Sequence, residues 1–131
     1  LWGFFRDVFG TADRFFERFF VANYCPLVFM EASGRNVTPD KLPAAERMPL
    51  FAACDEALRK LVDRMQPRIV VGVGGFAEKR AREALAGRDL RLGCILHPSP
   101  ANPTANRGWG ETVRRQLAEL GVTLPPQRGG R

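Results

Sequence analysis

The stretch Arg68-Ile69-Val70-Val71-Gly72-Val73-Gly74-Gly75-Phe76 decides the fold. Its β-branched run reads as a strand over 68–73, buried on both faces of a sheet. Gly74-Gly75 turns the chain directly into a helix over 76–86, which Gly87 ends. Upstream, Leu50, Cys54, Ala57, Leu58, Leu61 and Met65 recur at intervals of three and four and mark one long amphipathic helix. Pro49 forces a kink or a fresh start in that helix, and Pro67 closes it. Downstream, a further strand runs over 92–96, and Trp109, Val113, Leu117 and Leu120 set the inward stripe of a last helix stopped by Gly121.

Before this block, helical spacing over 2–9 and 11–19 is broken at Gly10, with Phe5, Phe9, Ala12, Phe16 and Phe19 as the apolar stripe. Residues 20–24 read as a short strand ended by Cys25-Pro26, and a loop follows through Ser33-Gly34-Arg35-Asn36. Thr38-Pro39 then reads as a helix cap and first residue. Strands alternating with helices imply right-handed crossovers and a parallel sheet covered on both faces, so the expected fold is α/β, a three-layer α/β/α domain with a short parallel sheet. Ligands bind such folds beyond the carboxyl ends of the strands. Asn23, the Gly72-to-Gly75 turn and His97 all fall at expected strand ends.

The 131 residues fit one domain, expected over 1–124 with a disordered tail over 125–131. The first residues, Leu1-Trp2-Gly3-Phe4-Phe5, are core-like and suggest a chain that begins inside a domain. A net charge of +6 comes mostly from arginine, since the lysines are Lys41, Lys60 and Lys79. Arginine suits phosphate, so the charge favours nucleic acid or another polyanion. Cys25, Cys54 and Cys94, set among apolar residues, suggest reduced buried thiols and an intracellular protein. The longest apolar region, 15–30, is interrupted by Glu17, Arg18 and Asn23, which argues against a membrane span.

Three constellations carry chemistry. Gly72-Val73-Gly74-Gly75-Phe76-Ala77 fits a loose dinucleotide-binding pattern. The following strand ends on His97 where such a unit needs an acidic residue for the ribose, so close backbone packing is the favoured role of the glycines. Asn23, in an apolar run, is expected to be buried, either tying two loops together or meeting a ligand edge with one donor beside one acceptor, as uracil N3–H and O4 present. His97, the single histidine, sits where a strand breaks into the proline-rich loop after it. General base, metal ligand and donor to a developing anion are its possible roles. No second histidine or nearby acid supports a metal, and a triad with Ser99 is sterically awkward, which leaves donation to an anion as the best reading.

Four blocks then occur in order: Phe20-Val21-Ala22-Asn23-Tyr24-Cys25-Pro26-Leu27, Ser33-Gly34-Arg35-Asn36-Val37-Thr38-Pro39, Val70-Val71-Gly72-Val73-Gly74, and His97-Pro98-Ser99-Pro100-Ala101-Asn102-Pro103-Thr104-Ala105-Asn106-Arg107-Gly108-Trp109. Together they closely resemble the single-strand-selective monofunctional uracil-DNA glycosylases over residues 1–120. His-Pro-Ser-Pro alone would mark only the wider superfamily. The resemblance implies a monomeric base-excision-repair enzyme, in the cytoplasm or nucleoid of a bacterium or the nucleus of a eukaryote. It would flip uracil, or a 5-substituted uracil such as 5-hydroxymethyluracil, out of single-stranded or mismatched and damaged double-stranded DNA. The N-glycosidic bond would then be hydrolysed with no metal and no cofactor. By the family's pattern Asn23 reads the uracil edge and His97 stabilises negative charge on uracil O2. Pro98, Ser99, Pro100, Ala101, Asn102, Pro103, Asn106, Arg107 and Gly108 would wedge into the duplex, and Ser33, Gly34, Arg35 and Asn36 would contact its backbone.

Two departures stand out. Ala101 occupies a wedge position where the family leads one to expect a large basic residue. The family's Gly-Met-Asn-Pro-Gly-Pro motif with its water-positioning asparagine, the aromatic that stacks on the base, and one central strand have no counterpart in this sequence. The expectation is therefore the C-terminal half of the domain, inactive and poorly folded alone. None of Lys41, Lys60 and Lys79 falls at a strand end, which disfavours Schiff-base lyase chemistry. The competing reading is a non-catalytic DNA-binding module resting on its arginines.

Overall fold

The computed structural model describes residues 1–99 and 108–126. At its centre, β3 (Ile69–Val73) pairs in parallel with β4 (Arg91–Ile95), with Ile69 opposite Arg91 and Val73 opposite Ile95. The helix α4 (Gly75–Ala84) connects them. Side chains alternate across a strand, so successive residues serve opposite faces. Val71, Val73 and Ile95 meet a core of Phe5, Val8, Phe9, Phe15, Trp109, Val113 and Leu117 from α1 (Trp2–Phe9), α2 (Ala12–Phe16) and α5 (Trp109–Glu119). Val70 and Leu92 meet the other core, formed by Val62 of α3 (Ala44–Met65) with Ala81, Ala84 and Leu85. Helices thus cover both faces, which makes the α/β architecture with its short parallel sheet.

The first helix has the expected bounds, but the stripe changes phase after it. Gly10 turns the chain at φ +82°, and Thr11 restarts the helix, its hydroxyl accepting from the Arg14 N–H. Phe15 is consequently buried, while Phe16 and Ala12 are exposed. Phe15 stacks on Phe19 with ring centroids 5.1 Å apart, and Phe4 meets Trp109 edge to face at 5.5 Å. The latter contact needs Gly110, where a Cβ would lie 2.7 Å from Phe4 Cδ2.

The strand expected over 20–24 does not form. That segment is irregular, since among the described residues no strand pairs with it, and Phe20 and Val21 are exposed. The loop expected through Ser33-Gly34-Arg35-Asn36 is the tip of a small antiparallel hairpin, β1 (Phe29–Met30) with β2 (Asn36–Val37). Helix α3 starts at Ala44 and runs through Pro49, which forfeits only the bond its N–H would have made to the Ala45 carbonyl near the helix start. Its buried residues are Cys54 and Val62, whereas Ala57 and Met65 of the expected stripe are exposed. Cys54 is buried as expected, but Cys25 and Cys94 are only half-buried, and all three thiols are free. Beyond α5, Leu124 is buried and the Pro125 carbonyl accepts from Arg114 Nη1 at 2.7 Å. Among the described residues no helix is long and apolar enough to cross a membrane.

Candidate functional site

The site is built where β3 and β4 end. Beyond β4 the chain passes through Leu96, whose two backbone groups are both held by α5. Its N–H donates to Gln116 Oε1 at 2.9 Å, and its carbonyl accepts from Trp109 Nε1 at 2.8 Å. His97 follows immediately, so the backbone that carries the imidazole is fixed from the residue before it. A turn fixes it from the other side, with the Ser99 N–H donating to the His97 carbonyl at 2.9 Å. The His97 side chain is exposed.

The glycine turn shapes the space around it. Gly72 passes so close to α4 that a Cβ would lie 2.6 Å from Glu78 Cα. Gly74 has φ +89°, donates to the Ile95 carbonyl at 2.8 Å, and faces His97 so closely that a Cβ would lie 3.1 Å from His97 Cβ. Both glycines are therefore accounted for by packing, one against a helix backbone and the other against the histidine. The imidazole sits beside the first turn of α4, which has no side-chain cap.

Asn23 is exposed, on the irregular segment rather than at a strand end, so the expectation of a buried carboxamide is corrected. Its neighbour Tyr24 ties the segment to α3 and α4. The Tyr24 hydroxyl donates to Asp55 Oδ1 at 2.6 Å and accepts from Arg80 Nε at 3.0 Å, while Arg80 Nη2 reaches Asp55 Oδ2 at 2.6 Å. The Arg80 guanidinium lies 4.5 Å over the Phe51 ring, and the Tyr24 ring meets Phe76 at 5.9 Å. Phe76 is the second residue of α4, two after the Gly74 that touches His97. Burial first, and Asp55 second, hold the Tyr24 phenol well above its ordinary 10.0. Burial, then the adjacent Cys25 thiol, push the Cys54 thiol up to about 11.

Ser33, Gly34, Arg35 and Asn36 are all exposed on the hairpin tip, where Gly34 takes φ +82° and Arg35 pairs with Glu31 at 2.5 Å. Pro98 and Ser99 are half-buried, and Gly108 is exposed at φ +99° before α5. Pro100, Ala101, Asn102, Pro103, Asn106 and Arg107 lie outside the described residues. Among the described residues, no group of three or more His, Cys, Asp or Glu side chains is arranged to hold a metal.

Sequence reasoning missed two supports. Gln116 was legible only as a polar residue at the edge of the inward stripe, three positions after Val113. Tyr24, Asp55 and Arg80 come from segments far apart in sequence and carry no local pattern.

Residues 2–119 match the uracil DNA glycosylase superfamily. A single-strand selective monofunctional uracil-DNA glycosylase of Rattus norvegicus is 50% identical over 123 residues, covering 92% of this chain and 44% of the rat protein. The single-strand selective monofunctional uracil DNA glycosylases of Mus musculus and Bos taurus are 49% and 47% identical, again over 92% of this chain, and 44% and 45% of their own lengths. The chain thus spans a little under half the length of these curated relatives. With the family match running from the first residue of α1 to the last of α5, the chain belongs to the uracil DNA glycosylase superfamily.

Proposed function

We propose that this chain carries the leaving-group half of a uracil-excision site acting on DNA in base-excision repair. The observation that supports this best is the placement of His97, with the backbone of the preceding Leu96 held by Trp109 and Gln116 and the His97 side chain set against Gly74 at the start of α4. When the N-glycosidic bond breaks, the departing uracil carries negative charge on O2. The His97 imidazole donates to that oxygen, a kind of help typically worth about 3–4 kcal/mol. The uncapped first turn of α4 adds a partial positive charge of about half a unit, favouring the same anion. Asn23 meets the flipped base with its carbonyl toward N3–H and its amino group toward O4. Cytosine presents the inverse pattern and is rejected.

The substrate is uracil or a 5-substituted uracil such as 5-hydroxymethyluracil. Flipping is least costly from single strands and mismatches, and exposed Arg35 and its hairpin neighbours meet phosphates nearby. The enzyme acts as a monomer.

By itself the chain is inactive and poorly folded. Trp2, Phe16, Phe20, Leu27, Val28 and Met30 are exposed. We assign this uncovered apolar surface to contact with further chain of the same domain, which also supplies the group that positions the attacking water.

The test is uracil release from single-stranded and mismatched oligonucleotides, by this chain and by an upstream-extended form, each with a His97→Asn control. Release only by the extended, His97-intact protein is the expected result. Release by the short chain would overturn the division of the site. DNA binding without release in either form would replace the enzyme with a binding module.

A further inference from the structure

We infer that Tyr24, Asp55 and Arg80 form a positioning clamp that sets where Asn23 stands against the base, an inference that rests on the base-reading role proposed for Asn23. Asn23 lies on an irregular segment without strand pairing, so nothing in its own backbone pattern fixes it. A carboxamide that must tell uracil from cytosine has to be held in place, and the residue beside it is held by two helices. The Tyr24 hydroxyl bonds to Asp55 of α3 and to Arg80 of α4. Arg80 and Asp55 close the triangle at 2.6 Å, with side chains only 12% and 16% exposed.

That degree of burial matters, because a salt bridge largely out of water keeps its geometry, whereas an exposed pair fluctuates. Arg80 is further fixed by Glu83 and by the Phe51 ring beneath it. The Tyr24 ring packs on Phe51 and Phe76, with centroids 6.1 Å and 5.9 Å away.

Helix α4 makes the clamp more than a local brace. Gly74, preceding its first residue, contacts His97, while Arg80 lies five residues beyond Gly75, about 7.5 Å along the axis. One rigid helix therefore sets both the leaving-group histidine and the segment that carries the base-reading amide. The distance between the two roles is fixed by α4 rather than by the segment's own conformation.

The test is a double-mutant cycle in the upstream-extended protein, measuring kcat/KM for uracil release from a single-stranded oligonucleotide and the affinity for that oligonucleotide. Tyr24→Phe removes the hydroxyl and keeps the ring packing. It removes the hydroxyl's bonds to Asp55 and Arg80, so the melting temperature falls somewhat, and it is expected to lower kcat/KM about tenfold in protein that is still folded at the assay temperature, with DNA affinity unchanged. In an Asn23→Ala background the same change is expected to add nothing, since it acts through Asn23. Arg80→Lys, which keeps charge but not the planar fork, should behave as Tyr24→Phe does.

A damaging Asn23→Ala together with a silent or additive Tyr24→Phe would overturn the clamp alone. A silent Asn23→Ala in a protein that still releases uracil would overturn the base-reading role, and the clamp with it.

Discussion

Gly74 stands at φ +89° with His97 occupying the space beside its missing side chain. An alanine there is held at φ 89° and ψ 162°, a backbone region essentially confined to glycine, costing about 1–2 kcal/mol, and crowds the imidazole. In the extended form, urea unfolding of Gly74→Ala should show a loss of that size, and uracil release should fall further than stability explains. Gly72→Ala is expected to be worse for folding, about 1–3 kcal/mol, because its Cβ meets the α4 backbone at Glu78, which cannot rotate away. Gly3→Ala is the control. It lies inside α1 with nothing near a Cβ and should gain about 0.5–1 kcal/mol. Tyr24, the chain's single tyrosine, gives a pH test. Its folded-state pKa is raised, so the native state holds the phenolic proton more tightly than the unfolded chain. That contribution to stability is complete below pH 10 and falls as pH rises beyond it. Absorbance at 295 nm should show no phenolate at the ordinary 10 in folded protein, whereas Asp55→Asn should lower the titration toward it.

Among the elements, α5 does two jobs. Val113 and Leu117 bury its inner face, while Trp109 and Gln116 turn polar atoms to the backbone of Leu96. Gln116→Leu removes the partner of the Leu96 N–H, and Trp109→Phe removes that of its carbonyl. Each leaves a half-buried backbone group unpaired, a cost of about 1–3 kcal/mol. Both variants should lower kcat for uracil release by loosening His97 while leaving DNA affinity unchanged, measured by fluorescence anisotropy. The bounds of α1, β3, α4 and α5 were close to legible in the sequence, because β-branched runs, helical stripes and glycine stops act locally. The phase of α2 was not, since the turn at Gly10 breaks the stripe while leaving the aromatic count unchanged. The segment over 20–24 has strand composition, but strand structure needs a partner, and among the described residues none pairs with it.

At the scale of the whole molecule, two cores on opposite faces of a two-stranded sheet leave much apolar surface uncovered. The chain alone should bind an apolar dye such as ANS and unfold with low cooperativity, whereas the extended form should bind less dye and melt in one transition. A sharp, dye-free transition in the short chain would contradict this. Thiol reactivity gives a local gauge of the same packing. Cys54, buried and pushed up to about 11, should react with iodoacetamide at pH 7.5 far more slowly than a free cysteine until the chain unfolds.

By itself the sequence determined most of the alternation of strand and helix, and it singled out His97 and Asn23 as candidate site residues and the glycine turn as a place of close backbone packing. These follow from side-chain shape, backbone freedom and functional groups, which travel with the residue. Only the tertiary structure decided that Asn23 is exposed, that Tyr24 ties its segment to α3 and α4, and that Trp109 and Gln116 grip the residue before His97. Those bonds join residues 31, 56, 13 and 20 positions apart. A hydrogen bond of 2.6–3.0 Å across such separations exists only once packing has fixed both partners, and no local pattern encodes it.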